Sequence, residues 1–436
     1  MSVVDPSLPD FVTAVKFESI KIITKLHTSV DIAPLVTDLD VFEHLDKPYV
    51  TAVLAFLDAN DIVGALNLSG GEKVQIMLKV NLEDAVVITK TFYIDKIMAS
   101  TKTHESEEFF TFHLIEDIAF ISNTLHVNQA YNGTTTKIIE NLAIEFLDKK
   151  INVSSKDVHT TKVIVPNLTP INAMCWIKNR TTTTDGYPFY LFSTLIDEDL
   201  QFYDLETLMN KPIINDDVPY TYFESQMVND NDKIRRRIIL NHRVKNTYDM
   251  YRLIDEGLIG SEYRYIDTIN NKNNKFNFDI NKEVINQMKV DNIISHLEKP
   301  LYDRERYDWS EKNLNSRKVT RIGSSNAFGD TKSLSERDKV ADYRLNEVSR
   351  AMSQLLTTDA MSFAVNGIDF LDGETNTTIG NKLRILFLRN AVDKEDYPYD
   401  YKKSGDYMIF ACKHSFTPSE YTLTFSGVKL SNGEVT

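Results

Sequence analysis

The chain has 436 residues, which is too long for one compact core and predicts about three domains. Its formal net charge of −14 argues against specific nucleic-acid binding, because phosphate contacts need clustered Lys and Arg. The two cysteines, Cys175 and Cys412, are too few for a disulfide framework or a Cys-rich zinc site. We interpret them as small buried apolar residues rather than redox groups.

The N-terminus shows no pattern of a secretory signal. Its first ten residues contain Asp5 and Asp10 and no basic segment followed by an apolar one. No apolar run approaches the ~20 residues of a membrane-spanning helix. We therefore expect a chain without a membrane span that folds in the cytosol.

The first quarter of the chain is predicted to consist mainly of strands. Polar and apolar residues alternate with a period of two in Val15–Ile22 and again in Gly71–Leu78. The run Tyr49–Phe56 is typical of a more buried strand. We predict a small antiparallel β-barrel over residues 1–103.

An α+β domain is predicted over residues 104–212. The threonines at 134–136 can cap a helix whose apolar positions recur with a 3.6-residue period, and a second helix follows Pro170. Two aromatic runs, Tyr187–Ser193 and Leu200–Tyr203, flank an acidic turn and predict a β-hairpin.

The following segment, residues 213–280, mixes strand and helix patterns. The run Ile234–Leu240 contains three consecutive arginines, which we interpret as a solvated face or a neighbour of acidic groups rather than a nucleic-acid site. A helix is predicted over Tyr248–Leu258, and an amphipathic helix over Tyr343–Leu356.

A polar insertion with few apolar periods spans residues 281–342, and we predict mainly loop there. It contains an aromatic and arginine-rich run, which suits a protein interface. A plain insertion is the alternative explanation. The interface candidates in this run are Tyr302, Arg304, Arg306, Tyr307 and Trp309.

A pattern that occurs twice organises the chain. Three strand blocks near the N-terminus match three near the C-terminus in the same order: residues 71–78 with 380–387, 91–97 with 404–410, and 106–112 with 419–425. We interpret them as copies of one β-domain, and we assign residues 213–280 and 343–436 to the second copy. Chance similarity among amphipathic strands is the alternative. The predicted fold class is β-rich α+β, with two similar antiparallel β-barrel domains, an α+β domain between them and the inserted polar region.

No catalytic constellation stands out in the sequence. It lacks the metalloprotease, nucleophile-elbow, phosphate-loop and dinucleotide-binding motifs. His104 and His113 lie near a predicted strand, without other ligands at a zinc spacing. We predict no catalytic residue, no metal and no cofactor, and therefore a protein that is not an enzyme.

Short strings in three stretches resemble the baseplate central-hub protein of contractile-tailed bacteriophages, which is similar in its hub part to type VI secretion spike proteins. The strings are Ala130–Gly133 leading into Ile138 and Ile139; the helix with Trp176, Tyr187–Phe192 and Leu200–Phe202; and Ser404–Ile409 with Lys413–Phe416 and Tyr421–Leu423. The resemblance covers most of the chain, but residues 281–342 have no counterpart. Two tube-type β-barrel domains in one chain are a property of that family.

The resemblance implies a structural virion protein of the tail baseplate, assembled in the host cytoplasm. Three chains with two tube domains each would form a homotrimeric ring of six similar lobes. Such a ring adapts a three-fold central spike to the six-fold tail tube and forms part of the DNA channel. The implied partners are other copies of the chain, the central spike protein, tail-tube or tube-initiator proteins, and the surrounding baseplate wedge proteins.

Two other classes of function stay open at this point. One is a hub-associated cell-wall-degrading enzyme, which would need a carboxylate pair or a metal set in an inserted region. The other is a receptor or glycan-binding tail module that would use Tyr302, Tyr307 and Trp309.

Overall fold

The structure is a computed structural model that describes most of the chain. The described residues are 15–80, 87–104, 107–154, 160–222, 236–246, 250–258, 260–267, 272–280, 283–284, 317–323, 328–329, 340–357, 360–371, 376–388, 399–400 and 403–431. They form mostly antiparallel β-sheet with few helices, as the alternating sequence pattern predicts.

Strands dominate the N-terminal part, and their side chains alternate between a buried and an exposed face. The elements are β1 (Val15–Ile23), β2 (Ser29–Asp31), β3 (Val36–His44), β4 (Thr51–Asp58), α1 (Ile62–Ala65), β5 (Lys73–Val80), β6 (Val87–His104) and β7 (Glu107–Glu116).

Helices and short strands follow in the middle of the chain. Thr134 caps the longest of these helices by accepting a hydrogen bond from the backbone N–H of Lys137, and Pro170 begins another. Both helices and the predicted hairpin are confirmed. The elements are α2 (Asp117–Asn123), β8 (Ala130–Thr134), α3 (Thr135–Leu147), β9 (Ile151–Val153), β10 (Thr160–Ile164), α4 (Pro170–Lys178), β11 (Phe189–Phe192), β12 (Leu200–Asp204) and α5 (Leu205–Met209).

The C-terminal half returns to strands around one longer helix. No helix among the described residues is long and apolar enough to span a membrane. The elements are β13 (Tyr220–Tyr222), β14 (Ile239–Asn246), α6 (Met250–Asp255), β15 (Gly260–Asp267), β16 (Lys272–Asp279), β17 (Lys318–Gly323), β18 (Phe328–Gly329), α7 (Val340–Leu356), β19 (Ala360–Asn366), β20 (Lys382–Phe387), β21 (Gly405–Phe416) and β22 (Tyr421–Ser431).

One large sheet combines strands from both ends of the chain. Within the described residues its order is β14-β19-β22-β21-β3-β4-β7-β6-β5-β1-β2, and β20 pairs with both β21 and β13. The contact between β21 and β3 therefore joins a C-terminal half of the sheet to an N-terminal half. Three small sheets, β18-β10-β8, β11-β12-β9 and β16-β15-β17, lie outside it.

The two halves of the large sheet have the same strand order. The N-terminal half runs β3-β4-β7-β6-β5-β1, and the C-terminal half runs β14-β19-β22-β21-β20-β13. They also share two register irregularities, because breaks at Val36/Asp38 and Ile94/Lys96 correspond to breaks at Ile239/Asn241 and Ile409/Ala411. They differ at the last strand, since β1 is antiparallel to β5 whereas β13 is parallel to β20.

The strand pairing corrects the predicted alignment of the repeat at its second block. Val74 lies opposite Phe92, and its counterpart Leu383 lies opposite Tyr407. Phe92 therefore corresponds to Tyr407, two residues beyond the predicted partner Gly405. A shift of two residues keeps every side chain on its own face of the strand, so alternation alone cannot detect the shift.

A glycine precedes β5 in the N-terminal half and β20 in the C-terminal half, and each glycine hydrogen-bonds to the neighbouring strand. Gly71 has φ +81° and Gly380 has φ +75°. The N–H of Gly71 donates to the carbonyl oxygen of Ile94 at 2.7 Å, and that of Gly380 donates to the carbonyl oxygen of Ile409 at 2.9 Å. A residue with a Cβ is strained in this left-handed conformation, so glycine suits both positions.

These glycines lead to a first prediction. Gly71→Ala is expected to lower the free energy of unfolding by about 1–2 kcal/mol through backbone strain alone, since its new Cβ would meet no atom closer than 3.8 Å. Gly380→Ala is expected to lose about 2–4 kcal/mol, because its Cβ would also lie 3.1 Å from Cδ2 of Leu208. Urea unfolding of the matched pair measures the difference, and equal losses would contradict the packing contribution at Gly380.

Separate hydrophobic cores lie beneath the two sheet halves and within the middle of the chain. The N-terminal half covers one core, and the C-terminal half packs with α7, β15 and β16 over a second. In α7 the buried residues Val348, Met352 and Leu355 follow the helical period that the sequence predicts. The third core forms between α3, α4 and the β11–β12 hairpin.

The arrangement departs from the predicted domain assignments at three places. The large sheet continues past residue 103, because β7 pairs with β4 and β6. Strands β15 and β16, assigned to the second β-barrel copy, form a small sheet with β17 instead. Within the polar insertion, β17 and β18 are strands rather than loop, and β18 pairs with β10. Their few apolar side chains give too weak an alternation for the pattern to show.

Candidate functional site

The predicted interface residues lie outside the described residues. These are Tyr302, Arg304, Arg306, Tyr307 and Trp309. Their role in an interface stays a prediction, and the structure directs attention to the contact between β21 and β3 instead.

The joint between the two sheet halves is an antiparallel strand pair. We call this pair, Ala411–Phe416 of β21 with Leu39–His44 of β3, the internal joint. The segment 411–416 also pairs with β22 on its other side, so it is a central strand at this point. The internal joint makes one continuous sheet from segments near opposite ends of the chain.

A buried polar cluster lies on the core face of the internal joint. Glu43 and Cys412 are opposite each other in the register, and His414 is two residues further along β21. Sγ of Cys412 lies 3.0 Å from Oε2 of Glu43 and 3.5 Å from Nε2 of His414, which is itself 3.5 Å from Oε1 of Glu43. All three side chains are at most 5% exposed.

Surrounding elements supply the remaining hydrogen bonds of this cluster. Oγ1 of Thr378 donates to Oε2 of Glu43 at 2.6 Å, and the backbone N–H of Leu195 donates to Oε1 at 2.5 Å. Nδ1 of His414 lies 2.8 Å from the hydroxyl of Tyr421. The cluster therefore connects both sheet halves and the segment after β11, and its polar atoms are paired despite burial.

The cluster keeps Glu43 ionised. Burial by itself would raise the pKa of Glu43, but the neighbouring His414 and hydrogen bonds from His414, Thr378 and Cys412 outweigh it and hold the pKa at about 2. Burial, followed by the charge of Glu43, raises the pKa of the Cys412 thiol well above its usual value. The thiol is thus a hydrogen-bond donor and a poor nucleophile.

The same three side chains are of types that zinc binds. One ligand atom from each of Glu43, Cys412 and His414 lies within 4.8 Å of the others. The carboxylate of Glu43, however, already receives hydrogen bonds from both of these side chains and from Thr378 and Leu195. A network of buried hydrogen bonds around the Glu43 carboxylate therefore accounts for the arrangement without a metal.

A buried ion pair between Lys90 and Glu116 attaches the same segment to the N-terminal half. Nζ of Lys90 lies 3.0 Å from Oε1 of Glu116, and both side chains are less than a tenth exposed. Lys90 also donates to the carbonyl oxygens of Thr194 at 2.7 Å and Asp197 at 3.0 Å. Oε2 of Glu116 accepts from the backbone N–H of Val50 at 2.7 Å. The pair fixes the turn between β11 and β12 against the sheet.

Sequence reasoning did not single out these buried charges. Both cysteines are predicted to be small buried apolar residues. Cys412 is buried but hydrogen-bonded to Glu43, and Cys175 departs from the prediction because it is only half-buried. The available signal was strand phase, because His414 occupies the same phase as Cys412 and Phe416, which predicts an inward-facing histidine. Its partner Glu43 is distant in sequence, so no local sequence pattern predicts that the two side chains meet.

Among the described residues, two strand edges that correspond to the internal joint have no partner strand. From Lys96 to His104, β6 pairs only with β7 among the described residues, whereas the corresponding part of β21 also pairs with β3. Strand β14, the counterpart of β3, is the last strand of its half in the described sheet. Unpaired backbone groups along such edges are templates for another strand.

Comparison with known proteins rests on structure. No protein-family model matches the sequence, and no curated protein matches it either. Among solved structures, the tail protein from Neisseria meningitidis MC58 has a TM-score of 0.53 and 11% identity, covering 94% of this chain and 96% of that chain. The 43 kDa tail protein of prophage MuSo2 from Shewanella oneidensis has a TM-score of 0.54 and 11% identity, covering 94% of this chain and 98% of that chain.

These two matches extend over nearly the whole of both chains. At 11% identity a likeness of this kind shows a shared fold and nothing about individual site residues. A sequence resemblance to a tail-baseplate family and a structural likeness to tail proteins agree with each other. The chain therefore has the fold of phage tail proteins.

Proposed function

We propose that this protein is the hub of a contractile-tail baseplate. In this proposal three copies form a ring of six similar lobes that adapts a three-fold central spike to the six-fold tail tube. The observation that carries the proposal is the duplication within one chain, where two sheet halves share strand order, register irregularities and a left-handed glycine. Two similar lobes per chain are what a three-fold body needs to present six equivalent positions.

Each sheet half corresponds in this proposal to one tube-type β-barrel. In the C-terminal half, Thr221 of β13 bridges to Ile238, next to the start of β14, so the two ends of the strand order approach each other. In the N-terminal half, β1 pairs with β2, which leads through residues 33–35 into β3. These contacts support closure of both halves into barrels.

The ring would surround part of the DNA channel. The net charge of −14 supports this role, because an acidic wall repels phosphate and lets DNA pass without binding. The proposed partners are the central spike, the tail tube or its initiator, and the wedge proteins around the hub, with assembly in the host cytoplasm and a final location in the virion tail.

The enzyme and receptor alternatives depend on inserted residues. Most of the insertion at 281–342, including Tyr302, Tyr307 and Trp309, lies outside the described residues, and no described contact favours either alternative. The proposed role is structural: it consists of assembly and passage, with no chemical step.

Imaging and mass measurement test the proposal directly. Purified protein, alone and with a candidate spike protein, is expected to form three-copy rings with six lobes around a hole in rotationally averaged particle images. Native mass spectrometry should give a mass three times the chain's 50.0 kDa, plus that of any bound spike. Monomers under both conditions would overturn the hub assignment.

A further inference from the structure

We propose that the open edge of β6 pairs with β14 of a second copy of the chain, in the register that the internal joint uses. This inference rests on the proposed ring and names the strands that would close it. In this proposal β21 pairs with β3 within each chain, and the equivalent pair of β6 with β14 forms between neighbouring chains.

The register follows from the correspondence between the two halves. Phe110 of β7 lies opposite Ser100 of β6. Its counterpart, Leu423 of β22, lies opposite His414 of β21. Ser100 therefore corresponds to His414, and by the same pairing Thr101 and Lys102 correspond to Ser415 and Phe416.

The residues of β14 that correspond to those of β3 follow from strand pairing in the same way. Asp40 and Val41 lie opposite Val53 and Ala52 of β4, and Arg243 and Val244 occupy the corresponding positions opposite β19. In the internal joint His414 faces Val41 and Ser415 faces Asp40. The pairs expected between chains are Ser100 with Val244, Thr101 with Arg243, and Lys102 with His242.

Residues of the internal joint are buried, whereas their counterparts at the open edges are exposed, as expected if a second copy covers those edges. Val41 is 1% exposed within the internal joint, whereas its counterpart Val244 is 45% exposed. His414 is fully buried, whereas its counterpart Ser100 is exposed. Met98 of β6 and Leu240 of β14 are also more than half exposed, so both edges carry apolar surface that a neighbouring strand would cover.

The two open edges lie in different halves of the large sheet and do not pair with each other among the described residues. Strand β14 ends the described order of the large sheet, and β6 lies in the other half, with β19, β22, β21, β3, β4 and β7 between them. Each chain thus offers one edge of each kind. Contacts of this head-to-tail type produce a closed ring when the rotation between copies closes.

Disulfide trapping tests the register. The double variant T101C/R243C, in a C175S background, places two cysteines directly opposite each other between chains, where Cα atoms of an antiparallel pair are about 4.5–5.5 Å apart. Oxidation is expected to give covalent dimers and trimers on denaturing gels. A mixture of the two single variants should stop at the dimer, since each chain then carries only one half of the contact.

A matched control uses the opposite face of β14. In T101C/V244C the second cysteine points to the other side of the sheet, so little cross-linking is expected. Rings in particle images without preferential cross-linking of T101C/R243C would overturn this pairing while leaving the hub assignment intact. Absence of both rings and cross-links would overturn both proposals.

A substitution at the edge provides a second measurement. Val244→Lys adds a charge where the neighbouring strand would dock, and it is expected to raise the concentration needed for ring assembly by about tenfold or more. Ile164→Lys, at an apolar residue of β10 that is 61% exposed, is the control and should leave assembly unchanged. Equal assembly of V244K and wild-type protein, with unchanged circular dichroism, would count against the pairing.

Discussion

Replacing Lys90 with methionine is expected to lower the free energy of unfolding by about 3–5 kcal/mol. The change removes the cation that faces Glu116 in a buried environment, and the carboxylate then lacks its counter-charge. The carbonyl oxygens of Thr194 and Asp197 lose a donor at the same time. Few single changes at the surface of the N-terminal half have comparable consequences, because exposed ion pairs contribute about 0–1 kcal/mol.

Chemical denaturation with intrinsic fluorescence measures this loss. Lys73→Met, at an exposed lysine of neighbouring β5, is the matched control and is expected to change stability by less than about 0.5 kcal/mol. The double variant K90M/E116Q should recover part of the loss, since a neutral amide no longer needs a counter-charge. Equal stability of K90M and K73M would show that the buried pair contributes nothing.

The second large effect is expected at Glu43. Glu43→Gln replaces the charged acceptor of the Thr378 and Cys412 hydrogen bonds with a neutral amide, so we expect a loss of about 3–5 kcal/mol near neutral pH. The loss should affect the contact between the two sheet halves first, because the cluster lies on that strand pair. Glu420→Gln, at an exposed residue in the turn before β22, is the control.

The pH dependence of stability tests the cause of this effect. The pKa of Glu43 in the folded protein is about 2, below its ordinary value of 4.5. Ionised Glu43 therefore stabilises the fold above its ordinary pKa, and this contribution is lost as pH falls from about 4.5 through about 2. The decline over that window should be shallower in E43Q than in wild-type protein or E420Q. Parallel curves for all three would contradict an ionised Glu43 as the stabilising group.

How far sequence alone could predict this fold depends on the range of the interactions involved. Alternation in Gly71–Leu78 predicts the strand observed at Lys73–Val80, and the glycines before β5 and β20 align the first block of the repeat in the correct register. The predicted alignment of the second block is wrong by two residues, because a shift of two leaves the alternation of side chains unchanged. The bulges near Asp95 and Phe410, which mark the true correspondence, depend on pairing with β7 and β22.

The candidate site depended on pairings that no local pattern contains. The inward phase of His414 was visible in the sequence, but its acidic partner comes from a strand in the first tenth of the chain. The open edges of β6 and β14 became visible only when strand order was known. The short strands β17 and β18 carry so few apolar residues that the surrounding polar sequence predicted loop.

The sequence separation across the internal joint has a consequence for synthesis. Glu43 and Cys412 are 369 residues apart, so β3 emerges from the ribosome long before the strand that covers it. At about 5–20 residues per second, translation leaves this edge bare for on the order of 20–70 s. During that interval nascent chains on one messenger could pair β3 with the wrong neighbour, and a chaperone that shields extended segments would have its clearest substrate here. Synthesis of β21 ends the exposure, because β3 can then form the internal joint within its own chain.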